Sequence, residues 1–123
     1  MSYNFLCNRD DPGFLQFIGK VRFVINSSKK TYLQERKLFC KYYTVAFEEL
    51  LMELPSEYPG NGNFGFLKGE FANEVKEIID YLFSAWGNIQ KQTTLPFTAD
   101  PGSEQEIYNQ IKYAESRLAL LAI

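Results

Sequence analysis

The widest apolar helical pattern in the chain covers residues 31–54. Its polar positions recur alternately three and four residues apart, which is the spacing of one side of an α-helix. They are Gln34, Lys37, Lys41, Thr44 and Glu48. Because so wide an apolar arc must be covered by neighbours on most of its circumference, this segment is predicted to be the central helix of a bundle.

A first helix is predicted to begin at residues 11–13, where Asp11 suits the N-cap and Pro12 the first helical position. Its core side is formed by residues at helical spacing: Phe14, Phe17, Ile18, Val21, Val24 and Ile25. The β-prone run at residues 23–25 leaves a strand as the alternative, but the spacing from Phe14 favours a helix.

Polar residues at positions 26–28 are predicted to end this first helix. Thr31 and Gln34 then have the spacing of a capping box for the central helix. In this interpretation Lys29 and Lys30 lie in a tight, solvated turn.

Two further helices follow a loop at residues 56–62, which is rich in Pro, Gly and Asn. The third is predicted to begin at about residue 64 or 68 and to end at about residue 90, before a loop at residues 91–99. The fourth follows a second Asp-Pro-Gly sequence at residues 100–102, with Ser103 and Glu106 as a capping box. The sequence therefore predicts an all-α fold, a single-domain bundle of four to five helices over residues 1–123.

The core sides of these two helices are apolar at helical spacing. In the third helix they are Leu67, Phe71, Val75, Ile78, Leu82, Ala85, Trp86 and Ile89, and in the fourth Ile107, Ile111, Ala114, Leu118 and Leu121. An acidic row follows the third helix and consists of Glu70, Glu74, Glu77 and Asp80.

The absence of histidine excludes many kinds of active site. Catalysis by a histidine base and the common zinc and di-iron sites all need this side chain. An enzyme of this composition would depend on carboxylates, Lys or Tyr alone, and we expect neither a metal nor another cofactor. The more common role of so many carboxylates in the second half is an exposed face, or a docking surface for a basic partner.

The two cysteines, Cys7 and Cys40, form no CxxC pair, and a charged-then-apolar leader with a small-residue cleavage site is not expected from the first residues. We therefore expect reduced thiols in a cytoplasmic protein. Lys37 and Lys41 lie close to Cys40 in sequence and favour a reactive thiolate, whereas a buried structural thiol is the usual alternative. No apolar run approaches the roughly 20 residues that cross a bilayer, so a soluble protein is expected.

Charge is unevenly distributed along the chain. Residues 1–46 hold eight basic and three acidic residues, and residues 47–123 hold five basic and twelve acidic residues. A candidate nucleic-acid site consists of the basic residues of the first two helices: Lys20, Arg22, Lys29, Lys30, Arg36, Lys37 and Lys41. Such a set binds phosphate if it shares one face, with Tyr32, Tyr42 or Tyr43 available for stacking on bases. The alternative is a solvated surface that pairs with the acidic half.

Two stretches give the chain a resemblance to a known family. They are LQERKLFCKYYTVAFEELL at residues 33–51 and QIKYAESRLALL at residues 110–121. Together with the basic first hairpin, they resemble the small subunit of a multi-subunit CRISPR effector complex. The resemblance implies an all-helical, non-enzymatic protein that lies between the large subunit and the backbone subunits. It also implies contact with guide RNA or target nucleic acid through basic helix faces.

Three functional hypotheses follow from these patterns. The leading one is a helical subunit of a ribonucleoprotein complex, which contacts other subunits, possible copies of itself, and nucleic-acid phosphates. The second is a protein-binding module, such as a phage inhibitor or immunity-type protein, that uses the acidic row of the third helix. An enzyme is the third hypothesis and has the least support.

Overall fold

The computed structural model describes residues 6–53, 67–92 and 101–122. It contains four helices: α1 (Pro12–Gln34), α2 (Arg36–Leu51), α3 (Ala72–Gln92) and α4 (Pro101–Ala119). These described ranges contain no strand. The prediction of an all-α, single-domain bundle is confirmed, and residues 23–25 are helical as expected.

α1 and α2 form an antiparallel hairpin that reverses within one residue, Glu35. Near the reversal the Tyr32 and Phe39 rings meet edge to face, with centroids 5.0 Å apart. At the open end Lys20 forms an ion pair with Glu53. Contacts at both ends of the hairpin therefore keep the two helices side by side.

α4 packs on the other side of α1 and α3 packs on α4, while α2 also contacts α3. The pairs that establish antiparallel directions are Lys29 with Glu115, Tyr32 with Gln105, Glu77 with Arg117 and Tyr81 with Tyr113. The four helices consequently form a ring in which α1 and α3 run one way and α2 and α4 the other.

The core lies along the middle of this ring. All six core positions predicted for α1 are buried, as are the five predicted after residue 106. Tyr43 is fully buried, and its hydroxyl donates a hydrogen bond of 2.5 Å to the Leu82 carbonyl of α3. Burial raises the pKa of Tyr43 well above its usual value, so the phenol stays neutral and joins α2 to α3.

The expectation of one central helix at residues 31–54 is wrong. The segment is divided at Glu35, and α2 ends at Leu51 while residue 54 lies outside the described residues. α2 packs mainly on α1 and α3, so its outer side reaches solvent through Leu38, Val45 and Met52, which are 50%, 49% and 79% exposed. A wide apolar arc thus includes surface positions as well as core positions.

The predicted end of the first helix at residues 26–28 is also wrong, because α1 continues to Gln34. The hydroxyls of this region bond within the helix instead of ending it: Ser27 donates to the Phe23 carbonyl at 2.7 Å and Thr31 to the Ser27 carbonyl at 2.8 Å. Bonding to the carbonyl of the preceding turn is one way in which a helix accommodates Ser and Thr in its interior. Thr31 is therefore inside α1 and caps nothing, and Lys29 and Lys30 are helical.

Of the capping residues predicted for α1 and α4, the structure confirms only the one for α1. Asp11 caps α1 as predicted, since its carboxylate accepts a hydrogen bond of 2.9 Å from the Phe14 amide. α4 begins at Pro101, so Ser103 is inside the helix and is no N-cap. The predicted loop at residues 56–62 lies outside the described residues, as do residues 93–99 of the loop predicted at residues 91–99. The predicted start of that second loop is wrong, because residues 91 and 92 belong to α3.

α3 begins later than predicted because residues 7–9 pack against residues 68–71, an arrangement we name the N-terminal clasp. The Cys7 amide donates to the Lys68 carbonyl and the Phe71 amide donates to the Cys7 carbonyl, both at 2.8 Å. Gly69 has a φ of 106°, which a helix does not allow. The clasp fixes the chain that precedes α1 to the beginning of α3.

Gly69→Ala is expected to lower the free energy of unfolding by about 2 kcal/mol. An added Cβ would lie 2.6 Å from Asn8 Oδ1 and 2.8 Å from the Cys7 amide nitrogen. Urea titration followed by circular dichroism measures the change. Gly19→Ala is the matched control, because nothing lies within 4 Å of its Cβ position in α1, and it should raise stability by ~0.5–1 kcal/mol. Equal changes in the free energy of unfolding for the two variants would contradict the close packing of Gly69 in the N-terminal clasp.

Ser28→Ala is expected to raise the free energy of unfolding by about 1 kcal/mol, since an unsatisfied buried hydroxyl is costly. Ser28 is fully buried in α1, and its hydroxyl lacks a hydrogen-bond partner within the described ranges. Thermal and urea unfolding give the measurement. Ser27→Ala controls for helix propensity, because the Ser27 hydroxyl is bonded to Phe23 and its loss should bring no gain. A Ser28→Ala variant no more stable than Ser27→Ala would refute the expectation.

Candidate nucleic-acid interface

The structure separates the seven predicted basic residues into two groups. Lys20 pairs with Glu53 at the open end of the hairpin, and Lys29 lies 2.7 Å from a carboxylate oxygen of Glu115. Arg22 is half-buried and borders a groove of about 460 Å³ between α1 and α4. These three cations lie on the flanks of α1 and do not join the remaining four.

The remaining four cations surround the reversal between α1 and α2, and we name them the basic corner. They are Lys30, Arg36, Lys37 and Lys41, and all four are exposed. Within the described residues, none of them forms an ion pair. The corner is therefore a local concentration of positive charge, reduced in part by the exposed carboxylate of Glu35.

The backbone at Glu35 creates the corner. This residue has φ −142° and ψ 68°, outside the helical region, and its amide donates to the Thr31 carbonyl at 2.7 Å. Its own carbonyl accepts from the Leu38 amide at 2.9 Å and thereby starts α2. Because one residue makes the whole reversal, the last turn of α1 and the first turn of α2 are adjacent, and residues 33–38 are all exposed.

Arg36 is held against a stack of aromatic rings. Its Cζ lies 4.2 Å from the centroid of the Tyr32 ring, and Tyr32 stacks on Tyr108 with centroids 4.0 Å apart and planes 11° apart. The Tyr32 hydroxyl donates to Gln105 Oε1 at 3.0 Å. Tyr32 and Arg36 are four residues apart in the sequence, which is the spacing of neighbours on a helix. Nothing in the sequence indicated that Tyr108 of α4 packs on Tyr32.

The predicted stacking residues differ in accessibility. Tyr43 is fully buried and cannot meet a base, so that prediction is wrong. Tyr32 is 4% exposed and is covered by Arg36. Tyr42 is half-buried and, with Lys30 and Leu38, borders a groove of about 400 Å³ beside the corner.

The predicted acidic row is partly neutralised, and its first residue, Glu70, precedes α3 instead of lying within it. Glu70 accepts hydrogen bonds from the backbone amide and the Nε of Arg9, at 3.2 and 3.1 Å, and these bonds lower the pKa of its carboxyl. Glu77 lies 2.7 Å from Arg117 Nε. Glu74 is half-buried and Asp80 exposed. The predicted acidic docking surface therefore already has cations of the same chain at two of its four positions.

The described ranges hold no group of three or more Cys, Asp or Glu side chains that could bind a metal ion. Among the helices that the structure describes, none has both the length and the apolar character that a membrane span requires.

Both cysteines are buried and free. Burial raises the pKa of the Cys40 thiol to about 11, and the negative charge of Glu104 contributes in the same direction. Burial likewise raises the pKa of Cys7 to about 11, against the opposing effect of its hydrogen bond with the Lys68 backbone. The structure thus favours the alternative of structural thiols over a Cys40 thiolate activated by lysines.

Comparisons with protein-family models, with curated proteins and with solved structures found no match to this chain. The resemblance to CRISPR small subunits therefore remains a prediction from the sequence.

Neither thiol should react with iodoacetamide in the native protein at pH 8, since the reactive thiolate is disfavoured and the sulfur is covered. Both should react after unfolding in guanidinium chloride. Mass spectrometry after timed quenching distinguishes the two sites. Fast native labelling of Cys40 alone would contradict the buried-thiol interpretation and return this residue to the list of candidate nucleophiles.

Proposed function

We propose that this chain is a non-catalytic helical subunit of a ribonucleoprotein complex and that its basic corner binds the nucleic-acid backbone. The observation that carries the proposal is the exposure of Lys30, Arg36, Lys37 and Lys41 around one reversal, without ion pairs to the described residues. Phosphate binding needs several accessible cations on one surface and no particular sequence motif.

The ion pairs of Lys20 and Lys29 make the basic corner the better candidate for the binding surface. Lys20 and Lys29 already interact with Glu53 and Glu115, so phosphate would have to compete with a carboxylate there. Lys37 and Lys41 are one helical turn apart on α2, and neither forms an ion pair with a residue that the structure describes. We therefore assign the backbone contacts to the corner and not to all seven predicted residues.

The specific complex is proposed from the resemblance to CRISPR small subunits. An all-α bundle agrees with the fold that this resemblance implies, and a cytoplasmic location belongs to the same proposal. Exposed apolar side chains on the outer side of the α1–α2 hairpin support contacts with other subunits, since Phe23 is 66% and Met52 79% exposed. Such contacts include neighbouring copies of this chain.

The acidic row offers weaker support for the rival function of a protein-binding module. Ion pairs of Glu70 with Arg9 and of Glu77 with Arg117 would have to open before a basic partner could bind. We therefore propose nucleic acid, bound at the basic corner, as the partner.

The double variant Lys37→Glu/Lys41→Glu is expected to bind single-stranded RNA or DNA at least about tenfold more weakly at low salt. The slope of log affinity against log salt concentration, which is negative, should also become shallower by roughly 0.7 for each lost phosphate contact. Fluorescence anisotropy of a labelled oligonucleotide, titrated at several salt concentrations, measures both quantities.

Lys68→Glu/Lys76→Glu is the matched control, because it changes the net charge equally. Both lysines are exposed near the start of α3, where Phe71 stacks on Phe14 at the opposite end of the bundle. This control should change affinity only slightly. Equal losses in the two double variants, or no binding by the wild-type chain, would count against the corner.

A further inference from the structure

Tyr32 has one ring face on Tyr108 and the other under Arg36. The Tyr108 centroid and the Arg36 Cζ lie 4.0 and 4.2 Å from the centroid of Tyr32, too close for both groups to occupy one face. Arg36 therefore lies on the ring face of Tyr32 opposite Tyr108. Lys112 lies over the Tyr108 ring, with its Nζ 5.1 Å from the centroid, so the two buried tyrosines are flanked by two exposed cations, and Arg36 is the one at the basic corner.

The orientation of the Tyr32 ring is fixed by its surroundings. The Tyr32 hydroxyl is bonded to Gln105, and Phe39 packs edge-on against the ring at 5.0 Å. Arg36 Nε also makes a long contact of 3.5 Å with the Tyr32 carbonyl. A guanidinium restrained in this way loses little conformational freedom when a ligand binds to its outer face.

We propose that the outer face of Arg36 is a stacking platform for one unpaired nucleobase, so that the basic corner selects single-stranded nucleic acid. This inference rests on the proposed function, because the exposed lysines of the basic corner would hold the adjoining phosphates. Planar guanidinium groups stack on bases irrespective of base identity, which gives strand selectivity without sequence reading.

A duplex does not fit this platform equally well. Bases inside a double helix are stacked on both faces and paired along one edge, so only a terminal or unpaired base can present a free face to Arg36. Double-stranded nucleic acid can therefore bind only through phosphate contacts, which depend on the lysines of the basic corner.

Arg36→Lys tests the platform because it keeps the charge and removes the planar group. The ligands are labelled oligodeoxyadenylate and an abasic deoxyribose-phosphate oligomer with the same number of phosphates. Wild-type protein should bind oligodeoxyadenylate more tightly than the abasic oligomer. Arg36→Lys should reduce the affinity for oligodeoxyadenylate by about tenfold, equivalent to one lost base stack, and leave the abasic oligomer nearly unchanged.

Quenching of 2-aminopurine fluorescence in a single-stranded oligonucleotide gives a second readout on the wild-type chain, so the test does not depend on how the variant folds. Equal losses for both oligomers, or a wild-type protein that binds them equally and leaves 2-aminopurine unquenched, would overturn the platform. In either case a specific effect of Lys37→Glu/Lys41→Glu would still uphold backbone binding. Failure of the wild type to bind either oligomer would remove both proposals.

Discussion

The stack of Tyr32 on Tyr108 fixes the end of the bundle on which the candidate site depends. Tyr32 lies near the end of α1, contacts Phe39 of α2 edge to face, and meets Tyr108 of α4 with planes 11° apart. The side chain of Tyr32 thus joins α1, α2 and α4. Aromatic pairs of this kind stabilise beyond the area that they bury, and here they also determine where the first residues of α2 project.

The same packing explains why the chain reverses at Glu35. In one continuous helix, Tyr32 and Phe39 would lie seven residues and about 10 Å apart along the axis. Their ring centroids are 5.0 Å apart because the chain folds back between them. Nothing local in the sequence marks this point, since Glu35 is a good helix former and neither Gly nor Pro is nearby. The reversal is a consequence of tertiary contacts and was not predictable from periodicity.

Features that depend on spacing along the chain were predictable, and those that depend on distant partners were not. The core positions of α1 and α4 and the Asp11 cap follow from local pattern alone. Whether a lysine is available to a ligand depends on carboxylates far away in sequence. Lys29 is paired with Glu115 of α4, whereas Lys30, its neighbour in sequence, is exposed. The sequence therefore indicated a group of seven candidate cations but not which of them remain accessible.

The position of the corner cations also matters for the stability of α2. Arg36 and Lys37 are its first two residues, and its first turn contains no acidic residue. Positive charge at a helix N-terminus opposes the helix dipole and typically costs ~0.3–1 kcal/mol. Glu35 offsets part of this cost by its charge, but its side chain makes no capping hydrogen bond. The contact of Arg36 with the Tyr32 ring offsets another part of the cost, and the charge that remains uncompensated agrees with the anionic ligand that we propose. Phosphate at this point would add both the missing negative charge and partners for the exposed cations.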